Sequence, residues 1–214
     1  LPVVEIFTIT PLNEVKLPAS LSIISSNLDY NLSHKQIGIE VRGNLSQTFP
    51  KKSFSIEFRN ETNFDIKQDQ RLLGMRKDDD WLLDGSPQDP TMLRNRVAMD
   101  LFPKIWRLPH DENASVVNRG RFVELVFNHR YHGIYVLSER IDRKLLKLDR
   151  QNSLLIKSMW AGPHGLQNRV AASLFEIKYP DTENDLFAAA EGWERLSSFL
   201  NFMEYSTDDD FENA

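Results

Sequence analysis

The residues most suggestive of chemistry are Gly43-Asn44-Leu45-Ser46-Gln47-Thr48-Phe49-Pro50-Lys51-Lys52, preceded by Arg42. A turn built from small and hydroxyl-bearing residues can aim backbone N–H groups at a phosphate. Arg42, Lys51 and Lys52 surround it with positive charge. No Gly-x-x-x-x-Gly-Lys-Ser/Thr pattern occurs, so this is not the Walker type of phosphate loop. On composition alone the same stretch reads more plainly as an ordinary hairpin loop with solvated lysines.

Other groups invite weaker readings. His129 and His132 stand three residues apart and, with His110, raise a metal site, but zinc wants three or four convergent ligands and the chain has no Cys. Asp78-Asp79-Asp80 and Asp208-Asp209-Asp210 read either as cation ligands or as solvated turns. Glu124, Glu139 and Asp142 lie in or just after a long hairpin, where an inward carboxylate can orient a Lys and a surface ion pair is the plainer outcome. No Gly-x-Ser-x-Gly elbow is present.

Elements that would position these groups follow from patterning. Leu1–Thr10 and Ala19–Ser25 alternate as strands. Gln36–Arg42 places Ile37, Ile39 and Val41 on one face and Gln36, Glu40 and Arg42 on the other. Ser53–Arg59 alternates again, so the ten-residue loop joins an antiparallel pair. Asp89 and Pro90 open a helix with Met92, Leu93, Val97, Leu101 and Ile105 as its apolar face, ending near Phe102 because Pro103 follows. Arg121–Ser138 reads as a hairpin about Asn128-His129-Arg130. A short helix over Ile141–Leu148, strands at Ser153–Lys157 and Ser173–Lys178, and a helix over Glu183–Glu204 complete the reading. The acidic tail from Ser206 is expected to fray. Strands first, then helix, hairpin and more helix predict an α+β fold with an antiparallel sheet and packed helices.

Composition bounds the function. The 214 residues carry 26 Lys+Arg against 31 Asp+Glu, and the net charge of −5 argues against a general nucleic-acid binder. The longest apolar run, Leu186–Ala190, is far too short for a membrane span. Lack of Cys removes disulfides and thiolate chemistry and leaves the redox compartment open. Residue 1 is Leu, read as a processed or trimmed start.

Four segments resemble, in order, the spore-coat protein H (CotH) group of atypical secreted protein kinases. They are RGNLSQTFPKKSFSIEF (42–58), LLGMRKDDDWLLDGSPQDPTMLRNRVAMDLF (72–102), FVELVFNHRYHGIYVLSERID (122–142) and FEIKYPD (175–181). The opening LPVVEI is similar to the family's first strand. The resemblance implies a kinase-like small lobe and hinge over residues 1–142, and the start of an incomplete helical second lobe over 143–214. It places ATP phosphates at Arg42, Lys51 and Lys52, and adenine against the hinge backbone at Ser138 and Glu139. Lys52 is preferred over Lys51, because alternation puts it on the face of Phe54 and Ile56. Ordinary kinases pair the phosphate Lys with a helix Glu, whereas this helix offers Arg94, Arg96 and Asp100.

The family's late Asn-x-Asp and Gly-Pro-x-Trp-Asp-Phe-Asp segments do not occur in these residues. The chain is therefore expected to be a fragment or a remnant, silent alone, with no catalytic or metal-ligating residue of its own. In the full-length protein the resemblance implies ATP with Mg²⁺, phosphorylation of Ser or Thr on secreted, surface or spore-coat proteins, and an extracytoplasmic location. The rival expectation is a non-catalytic binding module of the cell surface or spore coat.

Overall fold

Seven strands of the amino-terminal part close into a barrel in the order β1-β2-β3-β4-β7-β9-β8. They are β1 (Val3–Phe7), β2 (Leu17–Ile24), β3 (Leu32–Arg42), β4 (Ser53–Phe58), β7 (Asp80–Asp84), β8 (Gly120–Phe127) and β9 (Arg130–Glu139). The short pair β5 (Gln70–Arg71) and β6 (Lys77–Asp78) lies outside that ring. The computed structural model describes residues 1–105, 117–149, 153–158, 175–180 and 186–212. They fall into two units, Leu1–Ile141 and Asp142–Ala214.

Period-two patterning builds the core. Each barrel strand sends at least two alternate residues inward: Val4 and Ile6, Leu21 and Ile23, Ile37 and Ile39, Phe54, Ile56 and Phe58, Trp81 and Leu83, Val123 and Leu125, Tyr135 and Leu137. Neighbours in the ring pair antiparallel except for one. β1 and β8 run parallel, with Val3 opposite Glu124 and Ile6 opposite Phe127. The turn between β8 and β9 is Asn128-His129, both at positive φ, as a two-residue hairpin of this hand requires. Asn128 also ties that turn to β1, donating its N–H to Ile6 O at 2.9 Å and accepting from Thr8 N at 2.9 Å.

The expected α+β sheet with packed helices, resembling the small lobe of an atypical protein kinase, is not the fold. Among the described residues strand outweighs helix, 40% against 21%, and the sheet closes on itself. Helix α1 (Arg94–Ile105) shows why the reading failed. Its one buried residue is Arg96, which donates to Asn118 O at 3.0 Å and pairs with Asp100 at 2.7 Å. Leu93, Val97, Leu101 and Ile105, the face expected to pack on the sheet, are exposed. The barrel fills its interior with its own side chains, so no helix is needed to cover it. The helix also begins four residues after Pro90. Met92 takes φ +56, and Asp89 reaches across the turn to accept from Arg94 N at 3.0 Å. Pro103 lies inside the helix, not beyond it.

In the second unit β10 (Leu155–Ser158) and β11 (Phe175–Tyr179) form an antiparallel pair. Helix α2 (Leu186–Tyr205) lies against it at Gly192, where a Cβ would stand 2.8 Å from Ile177 Cδ1. Residues 142–148 make turns instead of the expected helix, with Lys147 at φ +50. The tail is ordered further than expected. Thr207 and Asp210 form a reciprocal cap at the start of α3 (Asp208–Glu212). No described helix is long and apolar enough to cross a membrane.

Candidate functional site

Register puts a set of charges on the outer face of β3, β4, β7 and β9. Residues opposite one another in a ladder share a face, and those alternating with the core residues point away from it. Arg42 faces Ser53, and Asp84 faces Val136. Two residues along the strands, Glu40 faces Ser55, Ser55 faces Leu82, and Leu82 faces Ser138. Two further on, Gly38 faces Glu57 and Glu57 faces Asp80. Ser53, Ser55 and Ser138 are buried although they face outward, covered by their larger neighbours.

At one end of this face stands Arg42. It is exposed and its guanidinium makes no hydrogen bond among the described residues; the surrounding protein lowers its pKa by desolvation, which Asp84 and Glu40 oppose and Arg140 reinforces. Asp84 is fixed as an acceptor, taking hydrogen bonds from Ser53 Oγ at 3.2 Å and from Ser86 N at 2.8 Å. Ser53 Oγ in turn accepts from Gly85 N at 3.0 Å. Gly85 is held tightly, since a Cβ there would stand 2.9 Å from Lys52 O.

The two lysines beside Arg42 are both engaged. Strand β4 begins only at Ser53, so alternation does not extend back to them. Lys52 Nζ donates to Gln47 O within its own loop at 2.5 Å. Lys51 Nζ folds over the barrel mouth, donating to Ile134 O at 2.6 Å and standing 4.7 Å above the Tyr135 ring. Burial pulls the Lys51 ammonium below its ordinary pKa, and Asp84 opposes that pull.

At the far end lie Ser138 and Glu139. Ser138 shares the outer face with Arg42, two residues along β9 and three strands across, roughly 7 Å by 14 Å. Glu139 has the opposite parity and is buried. Its two carboxylate oxygens accept from Arg76 N and Arg119 N, each at 2.9 Å. Its own N–H donates to Arg119 O at 3.0 Å, and its carbonyl accepts from Asn118 Nδ2 at 2.8 Å. The backbone at this position is therefore already paired on both sides.

Of the two readings of the acidic run, the solvated turn is the one that fails. Asp78 and Asp79 are buried, not solvated. Carboxylate oxygens of Glu57, Asp79 and Asp80 lie within 4.8 Å of one another. Side-chain cations hold them together: Lys16 at 2.8 Å, Lys67 at 3.0 Å and Arg59 all reach Glu57, and Lys67 is 3.4 Å from Asp79. Arg140 stands 3.5 Å from Asp80, and Arg76 pairs with Asp78 at 2.5 Å. Burial alone would push the Glu57 carboxyl up, but hydrogen bonds from Lys16 and Lys67 outweigh it and hold it below the ordinary value. For Asp80, burial wins over Arg140 and the carboxyl is pushed up.

His129 and His132 do not converge on a common site. His129 lies against Phe7 at 5.6 Å between centroids and His132 against Phe127 at 5.7 Å, while His110 falls outside the described residues. Asp142 accepts from Leu145 N at 2.8 Å, and no Lys is oriented by Glu139 among the described contacts.

Residues 39–214 match the family described as CotH kinase protein. The chain belongs to the CotH kinase family. The match takes in the whole outer face from Ile39 onward, including the loop after Arg42 and the strand ending at Glu139. Comparison with curated proteins finds no match. Sequence reasoning found Arg42 and Glu40 on one face but missed Asp80 and Asp84. The signal was there: Asp80-Trp81-Leu82-Leu83-Asp84 alternates about buried Trp81 and Leu83, as a strand with charged outer ends must.

Proposed function

We propose that this CotH-family chain holds the nucleotide of an ATP-dependent protein kinase, with residues 1–142 as the nucleotide-holding unit and 143–214 as the start of a second. The observation that carries the reading is the unbonded Arg42 guanidinium on a face that also presents Asp84 and Glu40. A free guanidinium fits a triphosphate. The neighbouring carboxylates Asp84 and Glu40 have the hard oxygen donors that suit Mg²⁺. Bound Mg²⁺ would neutralise phosphate charge as it transfers to a Ser or Thr hydroxyl of a secreted or surface protein. Arg42 holds the phosphates, and Lys51 or Lys52 joins it by giving up its bond to a main-chain carbonyl. Ser138 lies on the same outer face, on the side proposed for the base. Glu139 shapes the strand end from the inside without touching nucleotide.

A second reading, a non-catalytic binding module of the cell surface or spore coat, is favoured by a different observation. Both lysines and the Glu139 backbone are already satisfied within the barrel. Titration calorimetry of Mg-ATP into the 214-residue chain separates the two. The kinase reading expects binding near millimolar, about −4 kcal/mol, lost in Arg42→Ala. Heat indistinguishable from dilution in the folded parent supports the module instead.

A further inference from the structure

We propose that Asn31 and Asn60 are acceptors of N-linked glycans. Both begin the acceptor triplet Asn-x-Ser/Thr, as Asn31-Leu32-Ser33 and Asn60-Glu61-Thr62. Asn44-Leu45-Ser46 and Asn113-Ala114-Ser115 carry the triplet too. Asn113 falls outside the described residues, and Asn44, exposed and without a side-chain cap bond, lies in the loop after Arg42, where a glycan would compete with nucleotide. Asn31 is exposed, and its Oδ1 accepts from Ser25 N at 2.7 Å. Asn60 Oδ1 accepts from Thr62 N at 2.9 Å and from Thr62 Oγ1 at 2.7 Å. In neither residue does Nδ2 donate a hydrogen bond among the described residues, so a sugar on that atom breaks nothing in the fold. Asn118 is the contrast: it is followed by no acceptor hydroxyl, and its Nδ2 is committed to Glu139 O at 2.8 Å.

Their placement is also shared. Asn31 precedes β3 and Asn60 follows β4, and these strands are antiparallel, so both lie at one end of the barrel. The loop after Arg42 joins the same two strands at the other end. Glycans at Asn31 and Asn60 therefore shield one rim, whereas a glycan at Asn44 would cover the Arg42 end. Attachment joins Asn Nδ2 to C1 of the sugar of a polyprenyl-diphosphate oligosaccharide. The C1–O bond to the diphosphate breaks and its electron pair leaves with the diphosphate, while Nδ2 releases one proton. Such attachment occurs in the secretory lumen, so it carries an extracytoplasmic location with it.

The test uses protein isolated from its own cells. Peptide-N-glycosidase in heavy-oxygen water converts glycosylated Asn to labelled Asp, which mass spectrometry locates. Label is expected at positions 31 and 60. Ser33→Ala should abolish label at 31 only and Thr62→Ala at 60 only, with both Asn residues retained. Unmodified Asn31 and Asn60 in the accumulated folded protein would overturn the proposal, whatever the outcome of ATP titration. Label that persists in the hydroxyl variants would overturn it equally.

Discussion

The ammonium of Lys51 stands 4.7 Å above the ring centroid of Tyr135. This contact plugs the barrel mouth with a cation whose charge is met by a ring face and by the carbonyl of Ile134. Tyr135 is buried beneath it, and that burial pushes its phenol up to about 12. A raised phenol keeps its proton longer in the folded state. Its contribution to stability is complete below the ordinary value of 10.0 and is lost as pH rises from there toward about 12. Urea midpoints measured across that range should fall for the parent and fall less for Tyr135→Phe. Lys51→Met should cost about 1–2 kcal/mol at neutral pH, from one hydrogen bond and one cation–π contact.

For nucleotide binding, Arg42→Ala is expected to weaken Mg-ATP by about ten- to a hundredfold, the value of one charge-assisted contact. Lys51→Ala and Lys52→Ala should weaken it less, because each lysine must first leave its carbonyl partner. Calorimetry on the three variants checks the order. Equal affinity in all three and the parent would move the phosphate site elsewhere.

Glu57 and Asp80 should respond to acid in opposite senses. Hydrogen bonds from Lys16 and Lys67 depress the Glu57 carboxyl against its burial, so its stabilisation is present above the ordinary 4.5 and is lost as pH falls below it. Burial raises the Asp80 carboxyl, so its charge opposes folding above its ordinary 3.8, and that penalty lifts as pH falls. At neutral pH Glu57→Gln should cost about 3 kcal/mol, because it strands the cations around it. Asp80→Asn should leave stability within about 1 kcal/mol of the parent, since Arg140 is well exposed. Denaturation at pH 7 and pH 4 tests both signs.

Trp81 and Trp193 each stand among apolar neighbours in the sequence, yet their burial differs. Trp81 is 0% exposed and donates from Nε1 to Asp78 O at 3.0 Å, whereas Trp193 is only half-buried on α2. Trp81→Ala should cost roughly 3–5 kcal/mol. Trp193→Ala should cost about 1–2 kcal/mol, the transfer value of a partly covered ring. Chemical denaturation followed by far-UV circular dichroism gives both numbers.

Glu139→Ala would leave the N–H groups of Arg76 and Arg119 without their acceptors. Each unsatisfied buried donor costs about 1–3 kcal/mol. Hydrogen exchange at those two amides should accelerate in the variant, while exchange at core amides such as Ile39 changes only with global stability.

Patterning made β3, β4 and the β8–β9 hairpin legible, because one face of each is buried and the period is two. It also placed Arg42 and Glu40 together. The barrel itself was hidden, because its closure depends on a parallel pairing of segments as distant in sequence as Val3 and Glu124, and no local pattern encodes a partner. Strand β7 was hidden by its acids. Asp80 and Asp84 look like turn residues until Trp81 and Leu83 are seen to alternate with them. The α1 stripe misled for a different reason: helical spacing of Leu93, Val97 and Leu101 reports a helix but not what lies against it. Lys51 and Lys52 were read by extending a strand that begins one residue too late to reach them.

The parallel pairing of Val3 with Glu124 also sets a timetable at the ribosome. β1 emerges first and can pair with β2 at once, but its other edge waits for β8. At about 5–20 residues per second, that interval is on the order of ten seconds. During it, the N–H and C=O groups that will meet β8 are an open template for any extended segment nearby. A nascent chain of this protein thus offers chaperones a defined client surface, and that surface vanishes when the β8–β9 hairpin arrives to complete the ring.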